Sequence, residues 1–101
     1  MSEVAQFRER LERHLSGPVR VILFGSQATG RAGPESDVDL IIVSETFRGR
    51  SQVRRGAWVL EAWHSPEPVD VLCYTPEEFD RLRAQVSIVR VAMEEGVEVG
   101  A

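Results

Sequence analysis

The sequence predicts an α+β domain, and three observations predict it. Three short apolar runs, at residues 18–24 (PVRVILF), 37–44 (DVDLIIVS) and 69–74 (VDVLCY), have the length and β-branched content of strands. Two amphipathic segments, one at the start of the chain and one after Thr75, carry their apolar residues at helical spacing. Between the first two runs lies GSQATGRAGPES, whose glycines and proline suit a loop and neither kind of regular element.

Taken in order, Val4, Phe7, Leu11 and Leu15 mark a helix over residues 3–15, with Gly17 and Pro18 behind it as stop signals. Residues 18–24 are apolar almost without interruption, which suits a strand buried on both faces. In the second run, period-two alternation sets Asp37 and Asp39 on one face and Val38 and Leu40 on the other. Residues 48–64 mix Arg48, Arg50, Arg54 and Arg55 with Val53, Ala57, Leu60 and Trp63 at roughly helical period, and predict a helix weakened by Gly56. After the third strand, Thr75-Pro76-Glu77-Glu78 supplies an N-cap, a proline at the first helical position and a capping-box glutamate. Phe79, Leu82, Val86, Val89 and Met93 extend that helix to Glu95, Gly96 ends it, and residues 97–99 offer a short edge strand.

With 101 residues and 43% apolar content, the expected organisation is one domain over residues 1–101. A net charge of -4 gives no overall basic field, so sequence-independent nucleic-acid binding is not expected. One cysteine, Cys73, forms no internal disulfide, and His14 and His64 stand too far apart in sequence for zinc spacing. The expected setting is a reducing cytoplasm. The first residues are charged, and no apolar run approaches the ~18 residues of a membrane span.

Three features carry candidate chemistry: Gly25-Ser26 leaving a buried strand, Asp37-x-Asp39 opening the next, and Asp70 between Val69 and Val71 in a third. Each alone has an ordinary reading, respectively a turn with a helix cap, strand-end carboxylates, and an outward-facing side chain on a half-exposed sheet. Together they have a chemical one. Asp37 and Asp39 lie about 7 Å apart along a strand and disfavour each other's charge unless a cation neutralises them. A carboxylate amid apolar strand residues, like Asp70, must face solvent or find a partner. A glycine admits a phosphate close to the backbone, and a serine hydroxyl with following amides can donate to its oxygens. If the three strands are neighbours, three carboxylates converge beside a phosphate grip and suit an oxygen-seeking divalent ion, with magnesium expected.

Gly25-Ser26, ten intervening residues, Asp37-x-Asp39 and then an apolar-flanked Asp70 resemble the minimal nucleotidyltransferases of the DNA polymerase β superfamily. The likeness runs from the strand before Gly25 to the EEG that ends at Gly96. It implies a small mixed sheet of three to four strands with helices packed on one side. It also implies that Asp37, Asp39 and Asp70 are catalytic and hold one or two Mg²⁺ ions. Gly25 and Ser26 would grip the β/γ end of an NTP, and Arg31 would neutralise leaving pyrophosphate, although a solvated loop arginine satisfies the same sequence. The implied reaction moves a nucleoside monophosphate, AMP from ATP, onto a hydroxyl.

Larger relatives close a second lobe over the nucleotide, and the expectation here is that another subunit completes the cleft. Small members of the family resemble antitoxins paired with a HEPN-type RNase toxin, some of which add AMP to a tyrosine of that partner. The arginines at 48, 50, 54 and 55 are candidates for meeting an acidic partner or a phosphate, or for a solvated helix face. Trp58, Trp63 and Tyr74 read as structural, and Cys73 as an inert buried thiol. The alternative reading is a non-catalytic antitoxin or nucleotide-binding subunit that neutralises its partner by contact.

Overall fold

A computed structural model of the chain describes residues 3–24, 38–85, 90, 94 and 96–100. Helix α1 (Glu3–His14) leads into strand β1 (Arg20–Phe24), followed by β2 (Val38–Val43), a 3-10 turn (Glu45–Phe47), helix α2 (Gln52–Leu60), β3 (Val69–Tyr74), helix α3 (Pro76–Arg83) and β4 (Val97–Val99). The four strands form one mixed sheet in the order β3-β2-β1-β4. β1 runs antiparallel to both β2 and β4, and β2 runs parallel to β3. The apolar β1 and β2 are the two interior strands, as their lack of polar alternation requires.

Alternation along the strands divides the core between the two sheet faces. On the first face, Val21, Val38, Leu40, Ile42 and Cys73 pack against Phe7, Leu11 and Leu15 of the N-terminal segment and Val59 of α2. Trp63 closes this layer with an edge-to-face contact to Phe7 at 5.1 Å, and its indole N–H donates to the Glu67 carbonyl at 2.9 Å. On the second face, Ile22, Ile41 and Val43 pack against Phe79 of α3, with Leu72 and Tyr74 alongside. The expectation of helices on one side thus describes α1 and α2, while α3 lays Phe79 on the opposite face.

Helix ends show which local signals the chain uses. α1 ends with Ser16 in the left-handed region at φ 57°, and the amides of Ser16 and Gly17 donate to the carbonyls of Arg13 and Glu12. That is a Schellman closure, with the left-handed residue one position ahead of Gly17, the expected stop signal. The single helix expected over residues 48–64 is a correction: Gly49 takes φ 79°, and the helix starts only after Ser51, whose hydroxyl accepts from the Arg54 amide at 3.2 Å. Upstream of it, Ser44 caps the 3-10 turn that buries Phe47.

The capping box at Thr75 is present in full: Thr75 Oγ1 accepts from the Glu78 amide at 3.2 Å, and Glu78 Oε1 accepts from the Thr75 amide at 2.8 Å. The helix that follows is shorter than its apolar period implied. It ends at Arg83, where the Gln85 amide closes on the Leu82 carbonyl at 3.1 Å in a tightened last turn. Val86, Val89 and Met93, which extended the expected stripe, lie outside the described residues.

A second correction concerns the arginines, which sequence spacing grouped as one charged set. Arg55 is 5% exposed. Its guanidinium donates to both carboxylate oxygens of Glu78, at 2.6 and 3.2 Å, and to the Cys73 carbonyl at 3.0 Å. Arg48 pairs with Glu45 and Glu77, and Arg50 stacks over Trp58 at 4.1 Å.

Candidate active site

Asp39 is the second residue of β2 and Asp70 the second residue of β3, and the parallel register makes them direct partners. Register partners on adjacent strands stand about 4.8 Å apart and share a sheet face. The two carboxylates therefore lie side by side on the second face, the one that carries Ile41, Leu72 and Tyr74. They sit at the strand starts, whereas α3 begins only after the far end of β3. Asp70 is exposed and Asp39 partly buried.

β1 reaches the same place from the other direction. Its last residue, Phe24, is the antiparallel partner of Asp39, so β1 ends at the level of the carboxylates. Gly25, Ser26, Arg31 and Asp37 follow β1 or precede β2 in sequence and lie outside the described residues. Of the predicted site, the described residues thus contain Asp39 and Asp70, and the sheet brings these two together.

Two like charges directly opposite each other weaken a sheet unless something neutralises them. A hard divalent cation fits that donor set, since carboxylate oxygens are its preferred ligands and the exposed Asp70 leaves an approach from solvent. Among the described residues no three His, Cys, Asp or Glu side chains group as a metal site.

Two other reactive groups among the described residues, Cys73 and His14, have structural roles. Cys73 is buried on the opposite face, and burial pushes its thiol up to about 12, which leaves it protonated and inert. His14 Nε2 lies 2.9 Å from the Trp58 carbonyl and 3.1 Å from Glu61 Oε2, tying the ends of α1 and α2. A cleft of about 330 Å³ lined by Val19, Arg20, Val43 and Phe79 opens at the other end of the carboxylate face. Its arginine is already held by Glu98, at 2.7 and 3.0 Å.

Sequence reasoning missed the anchor behind β3. Arg55, Gln52 and the capping box fix the end of the strand beyond Asp70: Gln52 Nε2 also donates to the Cys73 carbonyl at 2.8 Å, and the Ser44 amide to the Tyr74 carbonyl at 3.0 Å. The one signal available was an arginine near the inward side of a helix whose opposite face carries Val53 and Leu60.

Comparisons with known proteins bear on the family and the fold. A family model described as a nucleotidyltransferase domain matches residues 4–99. The fold is similar to a crystal structure from Sulfolobus solfataricus described as a "putative nucleotidyltransferase", with a TM-score of 0.59 and 20% identity over 95% of this chain and 80% of that one. No curated protein matches the chain. An α+β sheet with two carboxylates paired at the strand starts, matched over nearly its whole length by that family model, places the chain in the nucleotidyltransferase domain family.

Proposed function

We propose that the protein transfers a nucleoside monophosphate, AMP from ATP, to a hydroxyl of a partner protein, with Asp37, Asp39 and Asp70 as the metal-binding catalytic carboxylates. The observation that carries this reading is the Asp39–Asp70 register pair at the level where β1 ends. Asp39 and Asp70 hold Mg²⁺ through carboxylate oxygens, and Asp37, two residues before Asp39, adds a third ligand. When bound, magnesium supplies neutralisation of phosphate charge and a lowered pKa for the attacking hydroxyl. Gly25 and Ser26 grip the β/γ phosphates, and Arg31 offsets the charge of departing pyrophosphate.

The exposed side of Asp70 is the approach for the acceptor. The acceptor that fits the resemblance is a tyrosine of a small helical HEPN-type toxin, which makes the chain an antitoxin of the cytoplasm. Label transfer from α-labelled ATP, with that partner present and with Mg²⁺, tests the reading. Wild type labels the partner, and Asp39→Asn and Asp70→Asn do not. Labelling retained by both variants overturns the site. If the variants neutralise the partner as well as wild type, its silencing works by contact instead of by transfer.

A further inference from the structure

Where α1 ends beside the segment that follows α2, a cleft of about 300 Å³ opens, lined by Arg10, Arg13, His14, Glu61, Ala62 and His64. Four of these side chains are basic and one is acidic, in a chain whose net charge is -4. Helical spacing gathers three of the four: Arg13 and His14 follow Arg10 by three and four residues on one side of α1, while Phe7 and Leu11 turn into the core. Elsewhere carboxylates answer the arginines, since Arg8, Arg20, Arg48, Arg55, Arg83 and Arg90 each form an ion pair. Arg10 and Arg13 form none among the described residues. The acidic side chain of the cleft, Glu61, is taken by His14 at 3.1 Å.

Cations near helix ends often serve only to answer the last carbonyls. Two of the four do that work: Arg10 Nε donates to the Ala62 carbonyl at 2.9 Å, and His14 Nε2 lies 2.9 Å from the Trp58 carbonyl. The two terminal amino groups of Arg10, the Arg13 guanidinium and the His64 ring are left without a protein partner among the described residues. The bond to Ala62, which is buried, also fixes the Arg10 guanidinium before any ligand arrives. Unanswered donors around an open cleft fit an anion, and each guanidinium fork suits one phosphate. The two forks stand on neighbouring turns, about 5–6 Å apart at Cβ, which matches two linked phosphates better than one. We infer that this cleft binds a diphosphate group, Arg10 and Arg13 each taking one phosphate and His64 donating from the facing segment. It lies on the α1 and α2 side of the sheet, opposite Asp39 and Asp70, and is therefore distinct from the carboxylate site.

Titration of isotope-labelled protein with sodium pyrophosphate in EDTA, followed by amide and imidazole shifts, tests this. Saturable shifts are expected at Arg10, Arg13, His14, Ala62 and His64. Arg13→Gln raises the half-saturating concentration roughly tenfold and His64→Gln roughly threefold, with unchanged melting temperatures because both positions are exposed. The double variant Asp39→Asn with Asp70→Asn leaves the titration as it is in wild type, so the result is independent of whether the protein transfers nucleotides. Inorganic phosphate, which engages one fork, needs roughly tenfold more. ADP separates the sources: if it shifts the same residues the diphosphate of a nucleotide is a ligand, and if it does not the ligand is free pyrophosphate, either result supporting the cleft. Absence of saturable shifts at these residues up to about 10 mM pyrophosphate overturns the proposal. So does a titration that both Arg13→Gln and His64→Gln leave unchanged, inorganic phosphate acting as well as pyrophosphate, or the same shifts with sodium chloride at matched ionic strength.

Discussion

The two ends of β3 treat their carboxylates in opposite ways. At the Cys73–Tyr74 end, Glu78 reaches back from α3, caps its own helix and takes both prongs of the buried Arg55 fork. That hydrogen bonding holds the Glu78 carboxyl below the usual carboxylate range. At the other end Asp70 stands exposed with Asp39 as its register partner. One carboxylate has its charge answered by the fold, and the other has a second negative charge as its neighbour. The difference separates a carboxylate that holds the domain together from one that stands open to solvent.

If that contrast is correct, substitutions at the two ends have opposite signatures. The largest effect is on transfer: Asp70→Asn lowers the rate about a hundredfold or more in the labelling assay, since it removes a group that neutralises developing phosphate charge. Its melting temperature stays near wild type or rises slightly, because a like-charge contact is relieved. Arg55→Ala does the reverse. Leaving Glu78 without its buried partner costs about 3 kcal/mol, a drop of roughly 12–20 °C in melting temperature for a domain of this size. Thermal melts of the two variants side by side decide whether the division holds.

Acid sharpens it further. Glu78 has a depressed folded-state pKa, so its pairing adds stability that is fully present above its unfolded value near 4.5 and is lost as the pH falls through the folded value. Denaturant titrations at pH 7 and in the acid range are therefore expected to show a steeper loss in wild type than in Arg55→Met, where the pairing is already gone.

Two backbone substitutions give the smallest effects. Gly56→Ala stabilises by about 0.5–1 kcal/mol, because a Cβ there meets Val71 at an ordinary 3.9 Å and the helix gains propensity. Ser16→Gly stabilises by about 0.5 kcal/mol, since the left-handed conformation at φ 57° suits glycine, although the unfolded chain gains freedom too. Both are read as shifts in the denaturation midpoint.

How much of this was legible in the sequence follows from the range of each signal. β3 and β4 fall on the residues expected of them, and the capping box at Thr75 is local chemistry that four consecutive residues specify. The carboxylate pairing needed one further step, the adjacency of β2 and β3, which alternation within a strand does not contain. Arg55 was not legible because its partner lies 23 residues away on another helix, so spacing alone grouped it with the other arginines. The end of α3 at Arg83 escaped for a related reason: neither Ala84 nor Gln85 is a residue that breaks helices, while the apolar period runs on past them.

The pairing of Asp39 with Asp70 around a divalent ion is best tested by Mn²⁺ titration of isotope-labelled protein. Paramagnetic broadening is expected to appear first at the amides of Val38, Asp39, Val69 and Asp70, while Cys73 and Tyr74 at the other end of β3 stay sharp. Asp70→Asn is expected to raise the Mn²⁺ concentration needed by tenfold or more, about 1.4 kcal/mol of lost affinity. Broadening centred on other acidic residues, or a titration that Asp39→Asn and Asp70→Asn leave unchanged, would contradict the account.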